Sequence, residues 1–180
     1  MRSIKLNSTG ETIDFVKTGR ETQGAYAEII CTVPARQKGP PLHIHPLQDE
    51  SFEVIAGRIE LLVAGEKKLL DQGQHFVAAA GSSHSFSNPC DSEIKFKATY
   101  RPALNIDYFL VQSFERLNIH PDIKRPGFQL MVDFDYILKQ IHGQFAFTRL
   151  PSLLLTIGSF FGNFFLKPGA KSLEEHNASF

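Results

Sequence analysis

The first hundred or so residues are cut at short intervals by Gly, Pro, Asn and Ser, and the pieces between the cuts have strand character. Segments 25–33, 51–55, 58–63, 74–78 and 93–100 are the clearest, rich in β-branched and aromatic residues. In the last of them Ile94, Phe96, Ala98 and Tyr100 alternate with Lys95, Lys97 and Thr99, the period-two pattern of a strand with one buried face. Many short strands joined by close turns predict an antiparallel barrel or sandwich. Gly57, Gly65, Gly73 and Gly81 mark the expected strand connections.

After Pro102 the period changes. Ile106, Phe109, Leu110, Phe114 and Leu117 recur at helical spacing. So do Leu130, Met131, Phe134, Ile137, Leu138 and Ile141, with Asp133, Asp135, Lys139 and Gln140 on the other side and Gly143 as a stop. A third helix is expected from Pro151, a good first-turn residue, to about Leu166, and the polar end, 167–180, is expected to fray. The chain thus reads as a β-barrel domain over 1–102 and a helical C-terminal extension over 103–180 that packs on the barrel or on a partner subunit.

The third helix changes the picture most. Residues 150–166 carry no charge and are flanked by Arg149 and Lys167. Their number, 17, is at the lower limit for spanning a bilayer. A Phe-rich helix without a polar face must be buried against something, so a covering role is favoured and membrane contact is the lesser alternative.

Composition adds boundaries. With 180 residues, 42% hydrophobic and 21% charged, the chain has material for one real core. Nineteen basic residues balance 19 acidic ones and no basic tract occurs, so a nucleic-acid partner is not expected. Near-neutrality favours self-association, and a homodimer is expected. Cys31 and Cys90 have neither CxxC spacing nor the density of a disulfide framework, and residues 1–11 lack the apolar core of a signal peptide. A cytoplasmic location is the simplest expectation.

The candidate chemistry lies in two segments. In GPPLHIHPLQDESFEVIAG (39–57), His43 and His45 are two apart, so on a strand both imidazoles face one way, and Glu50 follows after a bend. In GQHFVAAAGSSHSFSN (73–88), His84 offers a third imidazole. Three His and one carboxylate suit a borderline divalent metal, Fe, Mn, Co, Ni, Cu or Zn, and leave an octahedral ion with open positions. Gln48 and Asp49 compete with Glu50 as the oxygen donor, and His75 is a further candidate for the pocket wall. If Glu50 points inward, Phe52 and Val54 share its face, and Phe86 shares that of His84. These three are candidates for an apolar pocket lining that favours an aromatic or otherwise apolar small molecule.

The two segments resemble the two motifs of the cupin superfamily. His43-x-His45-x4-Glu50-x6-Gly57 matches the first motif from its first His onward, with the leading glycine displaced: position 37 is Gln37 and the nearest glycine is Gly39. Gly73, Gly81, His84 and Asn88 match the second, with Ala79 in place of its proline. The resemblance covers roughly residues 25–101. It implies a double-stranded β-helix, a jelly-roll-like barrel with a metal inside one end, held by His43, His45, Glu50 and His84. Single-barrel bacterial cupins with a helical tail look similar, and quercetinase-like cupins are the nearest functional analogy. The expected function is a metal-dependent dioxygenase-type enzyme acting on a small apolar or aromatic molecule, with Glu50 as metal ligand and proton acceptor. The alternatives are a non-redox, isomerase-type metal enzyme and a small-molecule binding module without turnover.

Overall fold

The computed structural model describes residues 2–121, 127–148 and 167–179. In chain order they form β1 (Arg2–Lys5), β2 (Thr12–Lys17), β3 (Ala27–Val33), β4 (His43–Ile44), β5 (Asp49–Ala56), β6 (Arg58–Val63), β7 (Glu66–Asp71), β8 (His75–Ala78), β9 (His84–Ser87) and β10 (Ile94–Arg101). There follow α1 (Ile106–Ile119), α2 (Phe128–Gln140), β11 (Ala146–Phe147) and α3 (Leu173–Ser179). The strands make a six-stranded sheet, β1-β2-β3-β10-β5-β8, and a five-stranded one, β11-β4-β9-β6-β7, all pairings antiparallel. This is the double-stranded β-helix expected from the sequence, followed by helices.

Period two builds the barrel wall. On β10, Ile94, Phe96 and Ala98 are buried inside, while Lys97 faces out between Glu53 at 2.7 Å and Glu28 at 3.9 Å. Ile59 and Leu61 of the facing sheet and Ile29 and Val33 of β3 are equally buried. At Gly57, between β5 and β6, φ is +80° and an added Cβ would stand 2.6 Å from Ile94 Cγ2, so the turn demands glycine. Gly39 has a different reason: the Phe86 ring lies where its Cβ would be, at 2.5 Å. Asn88 is a structural knot. Its amide donates to Val33 O, Pro34 O and Ser92 O at 2.8–3.0 Å, and its carbonyl accepts from Cys90 N–H at 2.8 Å.

The extension shares the barrel's core. Ile106, Tyr108, Phe109, Val111, Ile137, Ile141, Phe145 and Ala170 belong to the same buried apolar cluster as the strands. The end of the chain departs from the fraying expected of it. The Tyr108 hydroxyl donates to Lys171 O, Lys171 N–H to Gln112 Oε1 and Gly169 N–H to Asp133 Oδ1, at 2.6–2.8 Å, and the His176 ring meets Tyr108 edge-on. Ser172 and Glu175 exchange hydrogen bonds as a capping box that starts α3. A polar composition did not reveal anchors supplied by residues far back in the chain. The expected helix over 150–166 lies outside the described residues. Among those described, no helix is long and apolar enough to cross a membrane.

Glu11 breaks the rule that buried positions are apolar. It continues the inward face of β2, with Ile13 and Phe15, and is 7% exposed. Burial pushes its carboxyl up from 4.5 to about 7. A raised carboxyl contributes its stability in full below the unfolded value of 4.5, and that stability is lost as pH rises through about 7. The loss amounts to about 3 kcal/mol by pH 8. Glu11→Gln is expected to match the parent near pH 4.5 and to exceed it by about that amount at pH 8, read from urea unfolding. An offset independent of pH would contradict this.

Candidate metal centre

His43 opens β4, His45 stands one residue beyond it, and His84 opens β9. β4 and β9 pair with His43 opposite His84, so these two imidazoles belong to one sheet and His45 follows just past the end of β4. Glu50 comes from the other sheet, on β5, between Tyr100 of β10 and Ala78 of β8. The two sheets therefore bring the donors together at one end of the barrel. One ligand-type atom from each of His43, His45, Glu50 and His84 lies within 4.8 Å of the others, and all four residues are buried. Glu50 Oε2 is 2.8 Å from His84 Nε2 and 3.2 Å from His45 Nε2.

Hydrogen bonds behind the rings settle how two of them face the centre. His43 Nδ1 is 3.0 Å from Pro41 O, and His84 Nδ1 is 2.9 Å from Ser82 O. A carbonyl only accepts, so both Nδ1 atoms carry hydrogen, and Nε2 is the nitrogen turned to the centre. The Glu50 oxygen is then an acceptor beside inward-facing nitrogens. Such an arrangement needs a cation between the atoms, a proton or a metal.

The electrostatics agree. Burial works to raise the Glu50 carboxyl, but hydrogen bonds from His45 and His84 overcome it and hold the group far below the usual carboxylate range. Burial likewise works against a charge on His84, and the bond to Glu50 and its negative charge raise it instead. His43 is pushed down to about 3 by burial and then by the neighbouring His84. A carboxylate and a neutral imidazole, both dry, form a donor set that fits a borderline divalent ion.

The other sequence candidates fall as follows. Gln48 is buried but spends its amide N–H groups on Pro102 O and Ala103 O, at 2.7 and 2.8 Å. Asp49 accepts from Ala80 N–H on the surface, and His75 is exposed, so neither reaches the centre. Phe52 approaches His84 edge-on, with ring centroids 6.1 Å apart. Val54 is buried in the barrel core, and Phe86 packs edge-on against Phe96 at 4.9 Å.

The small space beside His45 has walls that sequence reasoning missed. Gln48, Asn105, Ile106, Phe109, Ile141, Gln144 and Phe145 line it, mostly from the extension rather than from the strands. Phe145 stacks on His43 at 4.8 Å between centroids and meets His45 edge-on at 5.2 Å. The helical spacing of Ile106 and Phe109 marked them as apolar and inward, but nothing local to them showed which cavity they face.

A family model for the cupin domain (Cupin_2) matches residues 29–100. Among curated proteins the sequence finds no match. Solved structures of similar shape include the Cnp3 cupin domain of Schizosaccharomyces pombe, at 16% identity and TM-score 0.47, covering 51% of this chain and 64% of that one. A protein of Thermotoga maritima described as a predicted oxalate decarboxylase covers 51% and 80%, at 16% identity and TM-score 0.49. A cupin-superfamily sugar phosphate isomerase of Silicibacter pomeroyi covers 51% and 59%, at 20% identity and TM-score 0.45. The chain spans less than two thirds of the first and last of these, and at such identities none of the three says what this chain acts on. With the family match over 29–100 and both motifs folded into one buried cluster, the barrel of this chain is a cupin domain.

Proposed function

We propose that His43, His45, Glu50 and His84 hold one divalent transition metal, and that the centre serves a dioxygenase-type reaction on a small apolar or aromatic molecule. The observation that carries the metal reading is the inward-facing Nε2 pair of His43 and His84 beside the buried Glu50 carboxyl. A bound ion of this class would supply Lewis acidity and, if redox-active, chemistry with dioxygen. The chain's own residues do the rest. The three imidazoles keep the centre at the barrel's end, and the Glu50 carboxylate takes the proton of a phenol or enol brought beside it.

The wall composition favours this reading over an isomerase. Phe109, Phe145, Ile106 and Ile141 are apolar. Two of the three wall amides are partly committed: the Gln48 NH2 to backbone carbonyls, and Gln144 Oε1 to the backbone N–H of Asn105 at 3.0 Å. They leave few free polar groups for acid–base work on a sugar. Assembly as a homodimer belongs to the same proposal. Leu69 and Val77, exposed on the edge strands β7 and β8, offer apolar surface for it, and light scattering at micromolar concentration is expected to give the dimer mass.

Elemental analysis of protein made without a chelating tag is expected to find about one metal per chain. Removing an outer partner of a metal ligand costs about 10–100-fold in affinity, so loss of a ligand in His43→Ala should cost more than about 100-fold. Glu50→Gln is expected to keep more metal than His43→Ala and yet to lose more turnover than its metal content explains. No metal after reconstitution with Fe, Mn, Ni, Cu and Zn in turn would remove the metal reading. Oxygen uptake is expected with at least one of a set of flavonols, catechols and enolisable acids, using the iron-, manganese- or nickel-loaded protein. A loaded protein inert to all of them would point to a non-redox enzyme or a binding module.

A further inference from the structure

The four donors are buried not by the barrel alone but by a strap from the extension. After α2 the chain reverses through His142 and Gly143, both at positive φ, and returns to the barrel's end. There β11 adds itself to the edge of the five-stranded sheet, with Phe147 opposite His43 and Ala146 opposite Ile44. Thr148 fastens the next position, its N–H and hydroxyl both donating to Leu42 O, at 3.0 and 3.1 Å. The strap thus pairs directly with the strand that carries His43.

This pairing aims Phe145 at the cluster. Its ring stacks on His43, meets His45 edge-on and stacks on Phe109 of α1 at 4.1 Å, with Phe147 packed edge-on behind it at 5.0 Å. The space left beside His45 is about 10 Å³, room for one water molecule. A ring of the size named in the proposed reaction does not fit there. The strap's hold is also modest. Its backbone pairs with the barrel only over two strand residues and Thr148, neither Ala146 nor Phe147 is fully buried, and the remaining hold is the packing of Phe145 and the Gln144 bond to Asn105 N–H.

Resting on the metal reading above, we propose that Phe145 sets the size of ligand that reaches the centre. With the strap paired to β4, the centre takes only ligands of about one or two heavy atoms, such as water or dioxygen. A larger organic substrate enters when the strap lifts from β4 and carries Phe145 off His43 and His45. Phe145 is on this account a specificity-determining residue, and the extension is part of the ligand pocket rather than a covering of the barrel.

Two measurements test this, one of them without metal. In the metal-free protein, carbethoxylation followed by peptide mass spectrometry should label His43, His45 and His84 at least about tenfold more slowly than exposed His75, since reaction needs local opening. Phe145→Ala should raise those three rates severalfold and leave His75 unchanged. Equal rates in parent and Phe145→Ala, with unchanged circular dichroism, would overturn the proposal. Phe145→Leu keeps apolar contact with Phe109, should fall between the two, and is read alone if the alanine variant does not fold. In the loaded protein, nitric oxide should bind the Fe(II) form of parent and variants alike by electron paramagnetic resonance. 4-Phenylimidazole should bind the Co(II) form of Phe145→Ala at least about tenfold more tightly than that of the parent, by visible absorption. Equal affinity would count against the gate. If no metal loads, the metal reading fails and the labelling rates decide the gate by themselves.

Discussion

A carboxylate removed from water must be given a counter-charge, and Glu50 is the group on which that demand falls. It stands on the six-stranded sheet, while the three imidazoles that answer it stand on or beside strands of the other sheet. The pairing of His43 with His84 across β4 and β9, and of Glu50 with Tyr100 across β5 and β10, brings the four together. The carbonyls of Pro41 and Ser82 then fix which nitrogen two of the rings present. Any register slip in β4, β9 or β5 would turn a donor to the outside, so the strand order and the chemistry of the centre are one constraint.

Glu11 is another buried carboxyl of the barrel, and it contrasts with Glu50. Burial acts on both, but only Glu50 has imidazoles beside it, and the two carboxyls are driven in opposite directions. Cys31, buried on the neighbouring strand, has its thiol pushed far up by burial first and then by the negative charge of Glu11 and Glu50, which disfavours the reactive thiolate. The interior is thus polar and responsive at a few points within an otherwise apolar fill.

The helical extension shares the barrel's apolar cluster through Ile106, Phe109, Ile137, Ile141 and Phe145, so barrel and extension support each other. The end of the barrel that carries the donors is closed by aromatic rings from outside it. The elements differ in how firmly they are held. The core strands are long, doubly paired and buried, whereas β11 pairs over two residues at a sheet edge. Segments of the second kind open at lower free energy than the core, and this one lies on the donor cluster.

By itself the sequence determined the barrel's central strands, the two main helices and the four residues of the buried His43, His45, Glu50 and His84 cluster. Alternation along a strand decides which face each side chain takes, as at Ile94, Phe96 and Ala98, and the spacing of His43, His45 and Glu50 carries the same kind of information. It did not announce β7, whose sequence Glu66–Asp71 is mostly charged because an edge strand keeps one side in water, nor β4 and β11, which are two residues long. Only the tertiary structure decided what stands opposite the donors. The inward faces pointed to Phe52, Val54 and Phe86, yet the rings against the centre include Phe145, which reaches it because the chain turns back at His142 and Gly143 and pairs with β4. Periodicity describes a residue's own element, whereas contact between distant elements is set by how those elements dock, and no local pattern records that.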